Sequence, residues 1–287
     1  MRAPGKRHKS PGLSSTSITQ SLYDDGKLFS EAAFRETTRI QLLQKAMHLR
    51  DLVVASKPTS THRWLASLGP QLLRLYTQNV DMLEDKAGLN TGLGRQFNCV
   101  RLHGTLADLQ CCLCQETFPW ENFRADIGAG RDLLCPRCAD CCKAREAAGK
   151  RRRAIGLLRP SMVMLDGYQP EEEEIADLAR GDCADNPEVF LILGTSLKVH
   201  GPKTLARQFA RVVQACGGMV VYVNRTKPSS EWNGLINYWV QWECDEWVCD
   251  LLMRQKKLQQ ERGGPNSAGC VANRVPGSCR EHAIMIT

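Results

Sequence analysis

Short, uninterrupted apolar runs, each followed directly by polar residues, recur along this chain and restrict its fold more than any other feature. They are Leu72–Thr77, Cys99–Leu102, Ser161–Leu165, Val189–Leu193 and Met219–Val223. Runs this short and this apolar are typical of strands buried on both faces. Helical spacing of apolar residues over 38–56, 171–180 and 203–216 places helices between several of them. The alternation predicts an α/β fold, a parallel sheet with helices on both faces.

Two helix starts carry capping signals. Thr38 with Gln41 has the spacing of a capping box at the start of the first long helix. Thr59 precedes a shorter helical stretch, and Gly69 is placed to end it.

Polar side chains follow four of the predicted strands at the point where each strand ends. They are Gln78, Asn79, Asp81, His103, Gly194, Thr195, Ser196 and Asn224. In parallel sheets ligands bind outside the carboxyl ends of the strands. We therefore expect these residues to share one crevice. Taken singly, Asn79 and Asp81 also suit an ordinary turn, and 194–196 suit a strand-to-helix turn.

Two Cys-x-x-Cys pairs, Cys111/Cys114 and Cys135/Cys138, are separated by twenty residues. Paired thiolates at this spacing suit a closed, tetrahedral structural Zn²⁺ site. Further cysteines leave the choice of ligands open, because Cys112 lies inside the first pair and Cys141 and Cys142 follow the second. The alternative is a set of buried free thiols.

Composition and charge restrict the class of protein. The chain has 287 residues, 43% hydrophobic and 24% charged, with a formal net charge of +7. No apolar run approaches the roughly 20 residues that span a bilayer, so we expect no membrane partner. Residues 1–21 are basic and rich in Ser, Pro and Gly, lack the apolar region of a secretory signal, and are expected to be disordered. The basic run 150–153 suits either a solvated loop or a nuclear-import or phosphate-binding patch.

Taken together, these residues resemble the sirtuin family of NAD-dependent protein deacylases. The matching segments, in the family's order, are YTQNVD (76–81), LHGTL (102–106), the two cysteine pairs, LRP (158–160), LGTSLKV (193–199), VN (223–224) and CDEWV (244–248). They cover roughly residues 60–255. The amino-acid sequences of segments 26–29, 149–160 and 193–199 are similar to those of the fungal nuclear branch that deacetylates histone. Chromatin association and nuclear localisation are the corresponding expectations.

The resemblance implies a Rossmann-like parallel sheet with a small inserted zinc module. The expected division is a catalytic domain over 22–258, with Rossmann-like parts 22–110 and 154–258 around a zinc module at 111–153, and a disordered tail over 259–287. NAD and an acetylated lysine of a histone tail or core are expected to meet in the cleft between the two parts.

The resemblance also implies roles for individual residues. His103 is the general base that acts on the ribose hydroxyls once nicotinamide has left, and the acetyl group ends on ADP-ribose. An imidazole suits this role because its ordinary pKa lies near 6.5. The residues implied in binding NAD are Gln78, Asn79, Asp81, Gly194, Thr195, Ser196, Asn224 and Cys244. Those implied in binding zinc are Cys111, Cys114, Cys135 and Cys138.

The chain departs from the family at two places. The family opens with a strand, a glycine-rich phosphate loop and an Asp-Phe-Arg segment, and residues 1–21 contain none of these. We therefore expect an N-terminally incomplete domain, through truncation or a misread first exon, that binds zinc but binds NAD weakly. Each lost charged hydrogen bond to phosphate costs roughly 1.5–3 kcal/mol. At 163–168 the family's Val-x-aromatic-Gly-Glu pattern is replaced by VMLDGY, so contacts with the substrate backbone are expected to differ.

Three functions follow as hypotheses. The first is an NAD-dependent protein-lysine deacetylase. The second is a catalytically impaired, zinc-binding relative that binds peptide or chromatin. The third, a zinc-ribbon nucleic-acid binder that uses 150–153, leaves the segments at 77–81, 102–104 and 193–199 unexplained.

Overall fold

A computed structural model describes residues 28–36, 38–167, 169–262 and 283–287. The predicted disorder of residues 1–21 lies outside the described residues, as does Tyr168. The domain division predicted above stays a prediction, except for the tail described below.

The helices and strands begin and end as follows. The helices are α1 (Glu31–Arg35), α2 (Arg39–Ala55), α3 (Ser60–Ser67), α4 (Leu83–Lys86), α5 (Arg124–Gly128), α6 (Pro136–Ala147), α7 (Glu172–Ala184), α8 (His200–Ala215) and α9 (Cys244–Arg262). The strands are β1 (Leu72–Thr77), β2 (Cys99–Arg101), β3 (Gly104–Cys111), β4 (Thr117–Pro119), β5 (Leu158–Met162), β6 (Val189–Leu193), β7 (Met219–Val223), β8 (Tyr238–Val240) and β9 (Ala283–Ile286).

Six parallel strands form the main sheet in the order β2-β1-β9-β6-β7-β8. One face packs against α7 and α8, through residues such as Ile175 and Phe209. The other packs against α3 and α9, through residues such as Trp64 and Val248. The predicted parallel sheet with helices on both faces is confirmed. Because both faces are covered, the strands are mostly apolar rather than alternating, with Arg74 on β1 as a buried exception.

The predicted disorder of the tail is wrong for the described part of it. Helix α9 continues to Arg262, and Ala283–Ile286 form β9. This strand lies in the centre of the sheet and pairs in parallel with both β1 and β6. A four-residue apolar run gives too little periodicity to predict a strand, whereas pairing on both sides stabilises it. Residues 263–282 lie outside the described residues.

A smaller antiparallel sheet, ordered β4-β3-β5, carries the cysteine-rich part of the chain. The strand predicted at Ser161–Leu165 begins and ends earlier, at Leu158–Met162, and belongs to this sheet. The sequence from Leu157 to Leu165 is largely apolar, so its pattern did not fix the register. Pro160 is tolerated because β5 lies at an edge of the sheet, where a missing amide donor breaks no internal pairing.

The capping signals had different outcomes. Thr59 and His62 form a reciprocal capping box at the start of α3, and Gly69 follows that helix with a φ of 52°. Thr38 does precede α2, but its side chain makes no cap. Its hydroxyl donates instead to the backbone oxygen of Ala33, so the capping box predicted with Gln41 does not form.

One buried ion pair joins the main sheet to α7. The Arg74 guanidinium on β1 donates to both carboxylate oxygens of Asp182, at 2.6 and 2.9 Å, and both side chains are less than 5% exposed. The hydroxyl of Tyr76 donates to the same carboxylate at 2.6 Å. A bidentate pair with an additional donor satisfies charges that would otherwise be buried alone.

Replacing Asp182 with alanine leaves Arg74 buried without its counter-ion, and we expect a loss of about 3–5 kcal/mol in the free energy of unfolding. The matched control on the same helix is Asp177→Ala, which removes an exposed pair with Arg180 and should cost less than about 1 kcal/mol. Urea unfolding of both variants measures the difference. Equal losses would contradict this account of the core.

Candidate active site

The carboxyl ends of β1, β6 and β7 meet in one hydrogen-bonded group. The Gln78 side-chain amide donates to the hydroxyl of Thr195 at 2.8 Å. Asn224 donates to the backbone oxygen of Thr195 at 2.7 Å and to the Tyr222 hydroxyl at 2.9 Å. Buried Thr195 therefore links the residue after β1 with the residue after β7. The structure thus brings together three side chains that the sequence placed in one crevice.

The remaining residues predicted after β6 lie beside this group. Gly194 has a φ of 65°, which favours glycine, and its amide donates to the backbone oxygen of Val223 at 3.0 Å. A Cβ on Gly194 would lie 3.5 Å from the Cys244 sulfur. Ser196 is exposed next to buried Thr195. The site residues predicted to follow β6 and β7 therefore lie next to one another and to Cys244 at this edge of the sheet.

A cavity of about 730 Å³ opens beside the strand ends. Gln78 and His103 line it from the sheet, residues 162–167 from the segment after β5, and residues 199–202 from the start of α8. Its size lies in the range of small-molecule sites. The N-terminus of α8 places the positive end of a helix dipole at its wall, which favours an anionic group.

His103 lies where the chain passes from the main sheet to the small one. Its backbone oxygen accepts from Val163 at 3.0 Å. The next residue, Gly104, has a φ of 71°, and a Cβ there would lie 2.4 Å from the backbone oxygen of Ser161. Only glycine fits this turn, and the turn presents the histidine to the cavity. Burial lowers the pKa of His103, against the opposing effect of a hydrogen bond with the backbone of Gln78. The imidazole is therefore neutral at pH 7 and able to accept a proton.

Asn79 and Asp81 face a different, buried group. His62, Asp81 and Glu84 lie together in the interior, with one ligand-type atom of each within 4.8 Å of the others. Glu84 accepts from the Thr77 hydroxyl at 2.6 Å and from the Asn79 amide at 3.4 Å. Neither Asn79 nor Asp81 is among the residues that line the cavity. Their role in binding a cofactor therefore stays a prediction, and their visible contacts support the turn after β1.

Asp81 is fully buried, and one of its carboxylate oxygens has no hydrogen-bond partner among the described residues. Burial, with the nearby charge of Glu84, raises its pKa to about 7. Sequence inspection missed His62 and Glu84 as members of this group. The sequence signal for His62 is its spacing from Thr59. The contacts of Thr59 with the Nδ1 of His62 fix the orientation of the imidazole ring.

The four cysteines of the two Cys-x-x-Cys pairs come together as a separate site. The sulfurs of Cys111 and Cys138 lie 3.8 Å apart, and those of Cys114 and Cys135 lie 3.6 Å apart. Four sulfurs at about 2.3 Å from one tetrahedral zinc ion lie about 3.8 Å from each other, so this donor set fits Zn²⁺. Cys112, Cys141 and Cys142 are not in the group.

The electrostatics of this site favour a bound cation. Burial raises the pKa of Cys135 to about 12. A hydrogen bond with the backbone of Glu116 lowers the pKa of Cys114 to about 7. Backbone amides at 3.4 Å already donate to the sulfurs of Cys111 and Cys135. A divalent ion supplies the positive charge needed to hold all four sulfurs as thiolates. The site is closed, so such an ion is structural.

A parallel α/β sheet with polar residues at its carboxyl edge and a small cysteine-rich module defines a nucleotide-binding type of fold. Comparison with known proteins narrows this class. A profile of the Sir2 family matches residues 4–201. The NAD-dependent histone deacetylase HST3 of Candida albicans is 34% identical over 262 residues, which cover 82% of this chain and 54% of that protein. HST3 of Saccharomyces cerevisiae is 34% identical over 248 residues, covering 78% and 55%. The chain belongs to the Sir2 family and spans about half the length of these relatives.

Solved structures agree on the fold. The complex "Structure of Sir2Tm bound to a propionylated peptide" superposes with a TM-score of 0.63 at 19% identity, covering 85% of this chain and 90% of that chain. "Sir2-p53 peptide-NAD+" gives a TM-score of 0.61 at 19% identity, covering 80% and 83%. No helix within the described ranges is long and apolar enough to cross a membrane.

Replacing Cys135 with alanine should remove most of the bound zinc, because a closed site of three thiolates no longer completes the tetrahedron. The control Cys141→Ala removes an exposed thiol outside the group and should leave one zinc per chain. Metal analysis of the purified variants measures this. Zinc loss from the Cys141 variant alone would show that the ligand set is wrong.

Asp81→Asn should stabilise the protein increasingly as pH rises from about 5 to 7. The folded chain holds the Asp81 proton up to about pH 7, whereas an unperturbed carboxyl loses it near 3.8. The folded state therefore holds the extra proton in this window, and the wild type loses stability as pH rises. Unfolding free energies of the two proteins should diverge by up to about 1.4 kcal/mol per pH unit. A constant difference would contradict the buried, proton-holding carboxyl.

Proposed function

We propose that this chain is a sirtuin-type, NAD-dependent protein-lysine deacetylase. The observation that carries the proposal is the position of His103, a neutral imidazole at the wall of a 730 Å³ cavity that Gln78 also lines. Family membership supports the reaction class, and the histone deacetylases among the relatives support an acetylated histone lysine as substrate. A nuclear, chromatin-associated protein is the corresponding proposal for location.

The groups at the strand ends fit NAD. When bound, NAD supplies the ribose carbon that takes the acetyl group as nicotinamide leaves. In this proposal Gln78, Thr195 and Asn224 orient the cofactor with their amide and hydroxyl groups. Gly194, Ser196 and Cys244 flank them, and Asn79 and Asp81 hold the turn after β1. His103 accepts the proton of a ribose hydroxyl.

The substrate lysine enters along residues 162–167 in this proposal. The backbone there is already held at two points: Val163 donates to His103 and Leu165 donates to Phe29, at 3.0 and 2.8 Å. Asp166 has a φ of 63°, so the chain turns sharply after the extended part.

A second candidate function is a zinc-binding peptide or chromatin module without turnover, which the four-cysteine site and the cavity also support. It keeps the four-cysteine site and the cavity but binds NAD too weakly for catalysis. His103 is present in both candidate functions, but only the enzyme requires its imidazole to accept a proton.

Nicotinamide release from an acetylated histone peptide at millimolar NAD separates the two candidates. We expect His103→Ala to lower the rate about 100-fold or more, the contribution of a positioned general base. The matched control is His48→Ala, an exposed residue of α2 outside the cavity, which should leave the rate unchanged. Equal background from the wild type and the His103 variant would establish the non-catalytic candidate.

The acid limb of kcat/KM should have its midpoint below pH 6.5, since burial lowers the pKa of His103 from that value. The rate should fall as pH drops through the lowered pKa, where the imidazole becomes charged. A midpoint above 6.5 would show that a different group acts as the base.

A further inference from the structure

The centre of the main sheet is built from the far end of the sequence. Strand β9 lies between β1 and β6, and among the described strands it is the element that pairs with both. Without it the sheet divides into β2-β1 on one side and β6-β7-β8 on the other. Twenty residues, 263–282, separate β9 from α9. β9 therefore joins the two halves of the sheet, although no short loop connects it to α9, the described element before it.

The side chains of β9 fit a central position. Ile284, Met285 and Ile286 are each at most 1% exposed. Ile284 and Ile286 belong to the apolar layer beneath α7 and α8, and Met285 belongs to the layer beneath α3 and α9. Three consecutive residues thus complete two opposite layers, as a strand buried on both faces must.

The end of β9 reaches the candidate cofactor crevice. The amide of Thr287 donates to the backbone oxygen of Tyr76 at 3.0 Å, and the amide of Gln78 donates to the oxygen of Thr287 at 3.0 Å. The Gln78 side chain donates to that same oxygen at 3.1 Å and to Thr195 at 2.8 Å. Residues 209 positions apart along the chain therefore fix the orientation of Gln78.

This contact lies at the point where the order of the strands reverses. The sheet order matches the doubly wound pattern 3-2-1-4-5-6, with β9 in the place of strand 1 and β6 in the place of strand 4. Ligands bind at the carboxyl edge between those two strands. Thr287 and Gly194 occupy that edge, one after each strand.

We propose that β9 is a positioning element for the cofactor crevice, whose docking between β1 and β6 orders Gln78 for binding. The proposal rests on the proposed function in taking NAD as the ligand. Docking brings Thr287 to Gln78, and undocking removes the Thr287 oxygen that accepts from both the backbone amide and the side chain of Gln78. The occupant of the slot is residues 283–287 of the same chain.

Amide exchange in the full chain tests the docking without any use of activity. Met285→Asp places a charge in a buried layer and should raise the exchange rate of the Gln78 amide about tenfold or more, while amides of the β6–β7 pairing stay slow. The matched control is Met253→Asp, at an exposed position of α9. An unchanged Gln78 rate in the Met285 variant, or a fast rate already in the wild type, would overturn the proposal.

Calorimetric titration with NAD tests the coupling. Met285→Asp should weaken NAD binding about tenfold or more, and the peptide REHAIMIT (residues 280–287) added in excess should restore it, whereas a scrambled peptide should not. Unchanged affinity in a variant whose Gln78 amide exchanges fast would overturn the coupling. If the wild type binds no NAD, the proposed function fails, and the exchange experiment still decides the docking.

A milder pair of variants covers the case in which Met285→Asp does not fold. Thr287→Pro removes the amide that donates to Tyr76 and leaves the apolar layers intact, and Met253→Ala serves as its control. The proline variant should show fast Gln78 exchange and weak NAD binding, and Met253→Ala, at an exposed position of α9, should show neither. Equal behaviour of the two would contradict positioning through the strand.

Discussion

The pairing of one short strand with two neighbours holds this structure together. Ala283–Ile286 complete the ladders of β1 and β6 and fill both apolar layers of the sheet. A parallel sheet is stable only when its strands are covered on both faces and hydrogen-bonded on both edges at its centre. Thr287, which follows β9, accepts from the Gln78 side chain, and that side chain also donates to Thr195.

The second constraint is the junction between the two sheets. The Gly104 turn carries the chain from β2 into β3 at a point that tolerates no Cβ, and it leaves His103 facing the cavity. The small sheet then brings the two cysteine pairs to one point. Zinc bound there would fix the sheet from which residues 162–167 leave toward the cavity. A structural metal and the candidate catalytic base are thus connected through one strand pair, β3 and β5.

The sequence predicted the parts of the fold whose signal is local. β1, β6 and β7 begin and end where the sequence predicts, since strands buried on both faces are mostly apolar, and the one charged residue among them, Arg74, is paired with Asp182. The grouping of the four cysteines followed from spacing. Of the polar residues that were predicted to share one crevice, only Gln78 and His103 line the cavity. The tail strand was missed because its pairing is entirely non-local. The inward orientation of Asp81 was missed because a turn residue shows no sign of which way its side chain points. His62 was visible only as a capping residue, although it also joins the buried carboxyl pair.

The central claim is that residues 283–287 complete the main sheet and contact Gln78 at the edge of the crevice. The most direct measurement is a scalar coupling across the hydrogen bond from the Thr287 amide nitrogen to the Tyr76 carbonyl carbon, by NMR of the labelled full chain. We predict a resolvable coupling, because the donor and acceptor lie 3.0 Å apart in a central ladder. A Thr287 amide with no such coupling and with the chemical shifts of an unstructured chain would contradict the account.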